Sequence, residues 1–356
     1  MRRILDNLVP PSSGIRFPAL DGLRGLAALA VAIGHAPLIG DRHTALGIWG
    51  RPAVMVFYAL SGFLLYYPWA KACRVDGIGR YYWRRVWRIY PAYIVALAAG
   101  GVIAVTLHRP ILPGDIASHL TFTHSWFAAY SRSLIGPAWS LPAEMQFYAI
   151  LPLLGVLFIR RPFALALAAV GLGILQTFPP DAFTAPGSRF LANWPYLAFP
   201  FFLGMIAGQL AASQPPRWLG WCAPLGAVGV LAYELTRYGV DYRIGILNGP
   251  IATALPSLAA GLVVIGVTAA PASVWGRALS RPPVRALGIC GYGLFLFHWP
   301  LFQALKAAVS PVTGLLIGLP AALALAVMSY LYVEAPAMRR SRRRAHPAAS
   351  RDGPAG

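Results

Sequence analysis

Residues 17–36 read FPALDGLRGLAALAVAIGHA and predict a first membrane-spanning helix. Residues 26–33 are wholly apolar, yet the stretch also carries Asp21, Arg24 and His35. Charged and titratable side chains are costly inside a bilayer and indicate a functional site there. Arg24 and His35 lie on one helix face, about 16 Å apart along the axis, and would suit one elongated ligand. The alternative is that Arg24 snorkels to the membrane surface and a neighbouring helix satisfies His35.

The composition supports this assignment. Hydrophobic residues make up 58% of the 356 positions and charged residues only 12%, whereas soluble domains contain about 25% charged residues. An all-α, polytopic helix bundle in the plasma membrane is therefore expected. The net charge of +19 would suit a nucleic-acid-binding protein. Because the basic residues lie in short segments between apolar spans, we exclude nucleic acid as a partner.

About ten spans are predicted from the apolar segments. They cover residues 17–38, 48–69, 91–108, 139–158, 162–178, 193–212, 218–236, 248–269, 286–305 and 311–334. With both termini in the cytoplasm, 21 Lys and Arg residues lie on the cytoplasmic side and 8 on the outer side. This asymmetry agrees with the positive-inside rule.

Three regions follow from these spans: a cytoplasmic N-terminal segment (1–16), a transmembrane domain (17–336) and a basic, disordered cytoplasmic tail (337–356). We expect no cleaved signal peptide and no appended soluble domain. The three cysteines have no metal-ligand spacing, and His119 and His124 form only a weak pair. We therefore predict no metal site.

Two segments carry candidate binding residues. Residues 56–69, VFYALSGFLLYYPW, contain Ser61, a candidate nucleophile whose small neighbour Gly62 equally favours close helix packing. Residues 80–93, RYYWRRVWRIYPAY, are read as a connecting loop with Arg84, Arg85 and Arg88 within helical reach of one another. Arginine forks suit phosphate groups, but anionic lipid would attract the same charges.

Residues 139–148, WSLPAEMQFY, place Glu144 about one turn into a helix that enters from the side His35 approaches. A carboxylate there would orient the imidazole and raise its basicity; the alternative is an ion pair with Arg132. His298, in GYGLFLFHWP, also lies in the outer half of its span. Glu334, in YLYVEAP, is expected to form a structural ion pair.

Taken in order, these motifs resemble the acyltransferase 3 family of integral-membrane O-acyltransferases. The resemblance is carried by LDGLRGLAAL with its Arg24 and His35, by LSGFLL, RRVWRIYP, WSLPAEMQFY, YGLFLFHWP and the final VEAP. It implies transfer of an acetyl or short-chain acyl group from cytoplasmic acyl-CoA to a hydroxyl, often on a sugar. Gly291 stands where relatives often have serine. The extracellular esterase-like domain of some relatives is missing, so no two-stage relay is expected.

The resemblance makes Arg24 and His35 essential, and the chemistry of acyl transfer agrees. A hydroxyl acceptor needs a base, and imidazole is the natural base near neutral pH. We predict His35 as general base, Glu144 as its orienter and Arg24 as a binder of acyl-CoA or a pore-lining charge.

The remaining candidates bind substrate, and no cofactor is expected beyond acyl-CoA as co-substrate. Within the motifs these candidates are Arg84, Arg85, Arg88, Ser61, Trp139, Ser140, Tyr292 and His298. The acceptor is a carbohydrate, glycolipid or glycosylated natural product, and membrane lipid surrounds the protein. The competing function is a transporter of a glycolipid or polyol, because buried charges also suit transporters.

Overall fold

The protein is described by a computed structural model whose regular elements are all helices. The model describes residues 17–36, 50–177, 194–239 and 250–345. The predicted N-terminal segment 1–16 and the end of the predicted tail, 346–356, lie outside the described residues. The all-α prediction is confirmed for the described part of the chain.

Seven helices precede residue 213: α1 (Pro18–Gly34), α2 (Gly50–Ala72), α3 (Ile78–Thr106), α4 (Asp115–Leu120), α5 (Leu141–Phe158), α6 (Pro162–Leu175) and α7 (Trp194–Ala212). Seven more follow: α8 (Cys222–Gly239), α9 (Pro250–Ala269), α10 (Val274–Leu279), α11 (Pro282–Ile289), α12 (Gly291–Ala308), α13 (Pro311–Ser329) and α14 (Ala335–Ala345). A π-helical segment, Tyr330–Glu334, joins α13 to α14. Each of the ten predicted spans overlaps one helix of 14 or more residues.

Helix α2 lies at the centre of the bundle and packs against α1, α5, α7 and α9. Its approach to α7 depends on two glycines. A Cβ added at Gly62 would lie 2.0 Å from the backbone oxygen of Phe201, and one at Gly204 would lie 2.0 Å from that of Ala59. Small residues allow such close packing of helices in membranes. The packing role considered for Gly62 is therefore confirmed.

Large apolar side chains cover the outside of the bundle. Val102, Val156, Phe163 and Leu316 are each between 64% and 74% exposed. Soluble monomers rarely expose wide apolar patches, whereas lipid solvates them without cost. The surface is therefore that of a membrane protein.

Four segments of the described chain are long and apolar enough to cross a membrane: Pro52–Ala72, Ile78–Thr106, Gly136–Phe158 and Val312–Arg342. Shorter apolar helices cover Pro162–Leu175, Leu197–Ala212 and Ala254–Ala269. A spanning helix usually needs about 20 residues, and α1 has only 17.

The sequence analysis predicted that the basic segment 80–93 is a connecting loop, and this prediction is wrong. Helix α3 begins at Ile78, well before the predicted start of the third span at residue 91. Arginine is a strong helix former, and Pro91 is tolerated inside a membrane helix where neighbouring groups compensate for its missing N–H. The arginines therefore project from the first turns of a continuous helix.

The prediction of a disordered tail from residue 337 is also wrong for its first part. Helix α14 runs to Ala345, and Ala337 and Ser341 on it are buried. The run of arginines suggested a solvated, unfolded segment. Alanine and arginine both favour helix, however, and one face of α14 packs against α3.

We expect Gly204→Ala to lower the unfolding free energy by about 1–3 kcal/mol, because the added methyl group would overpack the α2–α7 contact. Gly101→Ala is the matched control, since a Cβ at Gly101 meets no atom within 4 Å. Thermal unfolding of both purified variants in detergent measures the difference. Equal melting temperatures would contradict the close-packing argument.

Candidate active site

A cavity of about 850 Å³ opens among α1, α2, α3, α5, α12 and the C-terminal helix α14. Its polar lining residues are Asp21, Arg24, Tyr58, Ser61, Arg84, Arg85, Arg88, Ser140, Glu144, Tyr148, Tyr292, Tyr330, Ser341 and Arg342. Most of the predicted site residues are therefore brought together. His35, His298 and Trp139 do not line the cavity.

Positive charge dominates this cavity. Five arginines line it, against the two carboxylates Asp21 and Glu144. Arg24 lies 3.5 Å from Asp21, one turn away on α1. Among the described residues, Arg84, Arg85 and Arg342 form no ion pair with a carboxylate. Arginines without counter-ions beside an apolar interior favour an anionic ligand.

Arg88 forms a second ion pair at the cavity, with Glu334. Its Nη1 donates to Oε2 of Glu334 at 2.9 Å, and Ser329 donates to the other oxygen of that carboxylate at 3.2 Å. The Arg88 guanidinium also lies 5.7 Å from the ring centre of Tyr292. The ion pair expected for Glu334 is confirmed, and its partner is Arg88. Arg88 therefore lines the cavity and also joins α3 to the segment that precedes α14.

Glu144 is held by groups other than His35. Ser61 Oγ donates to Glu144 Oε1 at 2.7 Å, and the Tyr148 hydroxyl, one turn along α5, donates to the same oxygen. Within the described residues Glu144 makes no hydrogen bond to His35. Helix α5 packs its first turns against α2, which directs the carboxylate into the cavity. The structure therefore contradicts the predicted Glu144–His35 contact.

The partner of His35 is His298 on α12. His35 Nδ1 lies 2.8 Å from the Val31 oxygen and 3.3 Å from His298 Nε2. His298 Nδ1 lies 2.8 Å from the Leu294 oxygen, so this nitrogen carries the proton and its Nε2 accepts. His35 Nδ1 therefore donates, and its Nε2 carries the lone pair that a general base requires.

Aromatic side chains separate the histidine pair from the arginine-lined cavity. Phe57 and Phe295 line the cavity, with ring centres 6.0 Å apart. The Phe295 ring also lies 6.4 Å from that of His298, and Trp299 packs edge-on against His35 at 5.3 Å. A ligand that reached both polar centres would pass this apolar layer.

Ser140 and Trp139, the other two predicted site residues of the motif WSLPAEMQFY, have different positions. Ser140 lines the cavity, and its backbone oxygen accepts a hydrogen bond of 2.5 Å from Tyr58. Trp139 instead packs against the hydrophobic core. Its assignment to substrate binding finds no support in the lining of the cavity, from which Trp139 is absent.

Sequence reasoning missed several lining residues. Tyr58 and Tyr148 lie in motifs that were noticed, each one turn from a named residue, so helical spacing would have found them. Met338, Ser341 and Arg342 lie on α14, in a segment that was read as disordered. Their i, i+3, i+4 spacing is the signal that a helix face would have given.

His119 and His124 belong to a buried polar cluster in the segment between α3 and α5. His119 Nε2 lies 3.1 Å from Ser133 Oγ, which donates to Asp115 at 2.5 Å, and His119 Nδ1 lies 2.8 Å from the Tyr93 hydroxyl. The His119 and His124 rings stack 3.9 Å apart. Among the described residues, no group of three or more potential ligands is placed to hold a metal ion.

Burial controls the charge of this histidine pair. Desolvation lowers the pKa of His119 to about 3, and repulsion from His124 adds to the effect. Desolvation likewise lowers the pKa of His124 to about 4, against hydrogen bonds to the backbone of Ala138 and Ser118. Both rings are therefore neutral in the folded protein at neutral pH.

A family comparison identifies the domain. The acyltransferase 3 family model, described as an acyltransferase domain, matches residues 17–332. The chain belongs to the acyltransferase 3 family. No solved structure matches it significantly.

Among known proteins, this acyltransferase 3 member is similar to several named enzymes. It is 26% identical to the peptidoglycan O-acetyltransferase OatA of Listeria monocytogenes, over 90% of this chain and 55% of that protein. It is also 26% identical to the acyltransferase MdmB of Streptomyces mycarofaciens, over 82% and 81% of the two chains. A third relative is the putative peptidoglycan O-acetyltransferase YrhL of Bacillus subtilis, 28% identical over 90% and 54%. The chain thus spans about half the length of the peptidoglycan relatives.

We expect the stability of the protein to fall as pH drops below about 6.5, the pKa of an unfolded histidine. Between that pH and about 4 the unfolded chain binds protons that folded His119 and His124 exclude, so unfolding is favoured. Melting temperatures measured in detergent from pH 7.5 to 5 test this. The decline should be smaller in His124→Asn, since one excluded proton is removed; equal declines would contradict the assignment.

Proposed function

We propose that the protein is a membrane O-acyltransferase that moves an acetyl or short-chain acyl group from acyl-CoA to a hydroxyl of a carbohydrate, glycolipid or glycosylated natural product. The observation that carries the proposal is the arginine-lined cavity inside an acyltransferase domain. Its volume of about 850 Å³ is within the usual range for small-molecule sites, about 300–1,000 Å³.

The donor is assigned to the cavity because its charges complement those of the lining. Coenzyme A is strongly anionic at its nucleotide end, and Arg84 and Arg85 offer guanidinium groups that no described carboxylate neutralises. Arginine forks bind phosphate oxygens in pairs. Arg24 would lie beside the pantetheine arm, with Asp21 fixing its side chain.

The reaction itself is assigned to His35. Its Nε2 would take the proton of the acceptor hydroxyl as the hydroxyl oxygen attacks the thioester carbon. The carbon–sulfur bond then breaks, and the leaving thiolate takes the proton from the imidazolium. His298 would orient the ring and fix its tautomer, the role first given to Glu144.

The apolar layer of Phe57 and Phe295 suits this division of the site. The phosphates stay among the arginines, while the acyl end would pass between the rings towards His35. A water-poor path protects the thioester from hydrolysis. Ser61 and Glu144, hydrogen-bonded at the cavity wall, would contact the donor on its way.

The acceptor class is supported by the relatives. Two of the named proteins are peptidoglycan O-acetyltransferases, one of them putative, so a hydroxylated sugar is the substrate class we carry over. The acyltransferase MdmB, 81% of whose length is covered, supports acyl transfer without naming an acceptor.

We also propose ten membrane spans with both termini in the cytoplasm, on the basis of the 21-to-8 distribution of basic residues. In a background without Cys73, Cys222 and Cys290, single cysteines at Ala129 and Arg217, both exposed, should label from opposite sides. An impermeant maleimide added to intact cells should modify only the first. Modification of both from outside would overturn the topology.

The function is tested by measuring donor binding and acyl transfer separately in variants of two residues, His35 and Arg24. His35→Ala should lose transfer by about 10²- to 10⁴-fold, the usual contribution of a general base, and should still bind acetyl-CoA. Arg24→Ala should weaken acetyl-CoA binding itself, and Arg24→Lys should restore it only in part, because lysine lacks the planar fork. Calorimetry on purified protein measures binding, and thiol release measures transfer.

The natural acceptor is found in the same experiment. Extracts of cells with the wild-type gene, with His35→Ala and without the gene are compared by mass spectrometry for an acyl mass present only in the first. A transporter would neither bind nor consume acetyl-CoA, and near-normal transfer by His35→Ala would move the base to another residue, His298 first.

A further inference from the structure

Helix α14 lies beyond the part of the chain that the family model matches, which ends at residue 332. It nevertheless forms part of the cavity wall. Met338, Ser341 and Arg342 line the cavity, one turn or less apart on a single helix face. Arg339 and Arg340, on the same helix, are exposed and do not line it.

The helix is fixed in this position by its first turns. Glu334, directly before α14, is held by Arg88, and the same Arg88 nitrogen lies 3.6 Å from the sulfur of Met338. Ala337, in the first turn of α14, is buried. These contacts join α14 to α3, so the cavity-facing side chains of α14 have defined places.

The α14 face of the cavity contains an unused hydrogen-bonding group. Ser341 is 2% exposed, and its Oγ has no hydrogen-bond partner among the described residues. The Nε of Arg85, which also lines the cavity, is likewise buried without a partner. A buried polar atom left unpaired is unfavourable. A ligand that supplied an acceptor atom to the Ser341 hydroxyl would remove this cost.

Like charges also converge at this end of the cavity. Arg80, Arg85 and Arg342 all repel the Arg84 guanidinium. Arg84 and Arg342 are exposed, so they stand at the mouth, while Arg88 and Glu334 pair further inside. Bringing cations together without a carboxylate is unfavourable unless an anion joins them. A doubly charged phosphate monoester suits several guanidinium groups better than a singly charged group does.

We propose that α14 completes a phosphate-monoester site at the cavity mouth, in which Arg342 and Arg84 bind the 3′-phosphate of acyl-CoA and the Ser341 hydroxyl donates to it. The inference rests on the proposed use of acyl-CoA. The nucleotide end lies at the mouth because the thioester end must reach inwards to His35. Ser341 and Arg342 are thus donor-selecting residues outside the family domain.

The test compares acetyl-CoA with acetyl-dephospho-CoA, which lacks only the 3′-phosphate. Wild-type protein should bind acetyl-CoA at least 10-fold more tightly than acetyl-dephospho-CoA, which corresponds to about 1.4 kcal/mol. Arg342→Gln should lose most of this preference by weakening acetyl-CoA binding alone. Arg340→Gln, with the same change of charge on the same helix, should keep it. Ser341→Ala should reduce it by a smaller factor.

Each outcome separates the inference from the function on which it rests. If wild-type protein binds neither donor, the proposed function fails. If it binds both donors equally, or if Arg342→Gln keeps the full preference, the function stands and the α14 site is overturned. The comparison of the two donors on wild-type protein needs no variant. It can therefore overturn the proposal even if Arg342→Gln does not fold.

Discussion

The buried ion pair between Arg88 and Glu334 is the interaction on which the shape of the cavity depends. The carboxylate is 1% exposed, so its charge would be very costly without a close cation. The pair joins α3 to the turn that leads into α14, two elements far apart in sequence. It also neutralises Arg88, and Arg24 lies beside Asp21, whereas Arg84, Arg85 and Arg342 form no ion pair with a carboxylate among the described residues. The ion pair therefore affects both the packing of the cavity wall and the positive charge that remains for a ligand.

The site has two polar centres with different surroundings. The arginine-lined cavity suits a ligand that carries its own negative charge. The His35–His298 pair lies next to Phe295, which lines the cavity together with Phe57. In the proposed mechanism the phosphates would stay among the arginines, and only the uncharged part of the donor would pass the apolar layer to the histidines.

Helical periodicity predicted much of this from sequence, because residues close along one helix keep their spacing when it folds. Arg24, Arg84 and Arg85 were expected to serve one anionic ligand and do line one cavity. The expected contact between Glu144 and His35 failed because it depends on how α5 packs against α2 and α12, which no local pattern encodes. Helix α14 was missed for a different reason: dense positive charge on a helix resembles a solvated tail until α3 is placed beside it.

The π-helical segment Tyr330–Glu334 gives the C-terminal helix its angular setting. A π turn contains one residue more than an α turn, which rotates everything after it by about 100° around the helix axis. The number of residues in this π-helical segment therefore determines which side chains of α14 face the cavity. Removing a single residue from the segment would turn Ser341 and Arg342 aside without altering the composition of the helix. In related proteins, counting residues between the last apolar span and the basic helix would reveal more about donor choice than comparing the basic residues themselves.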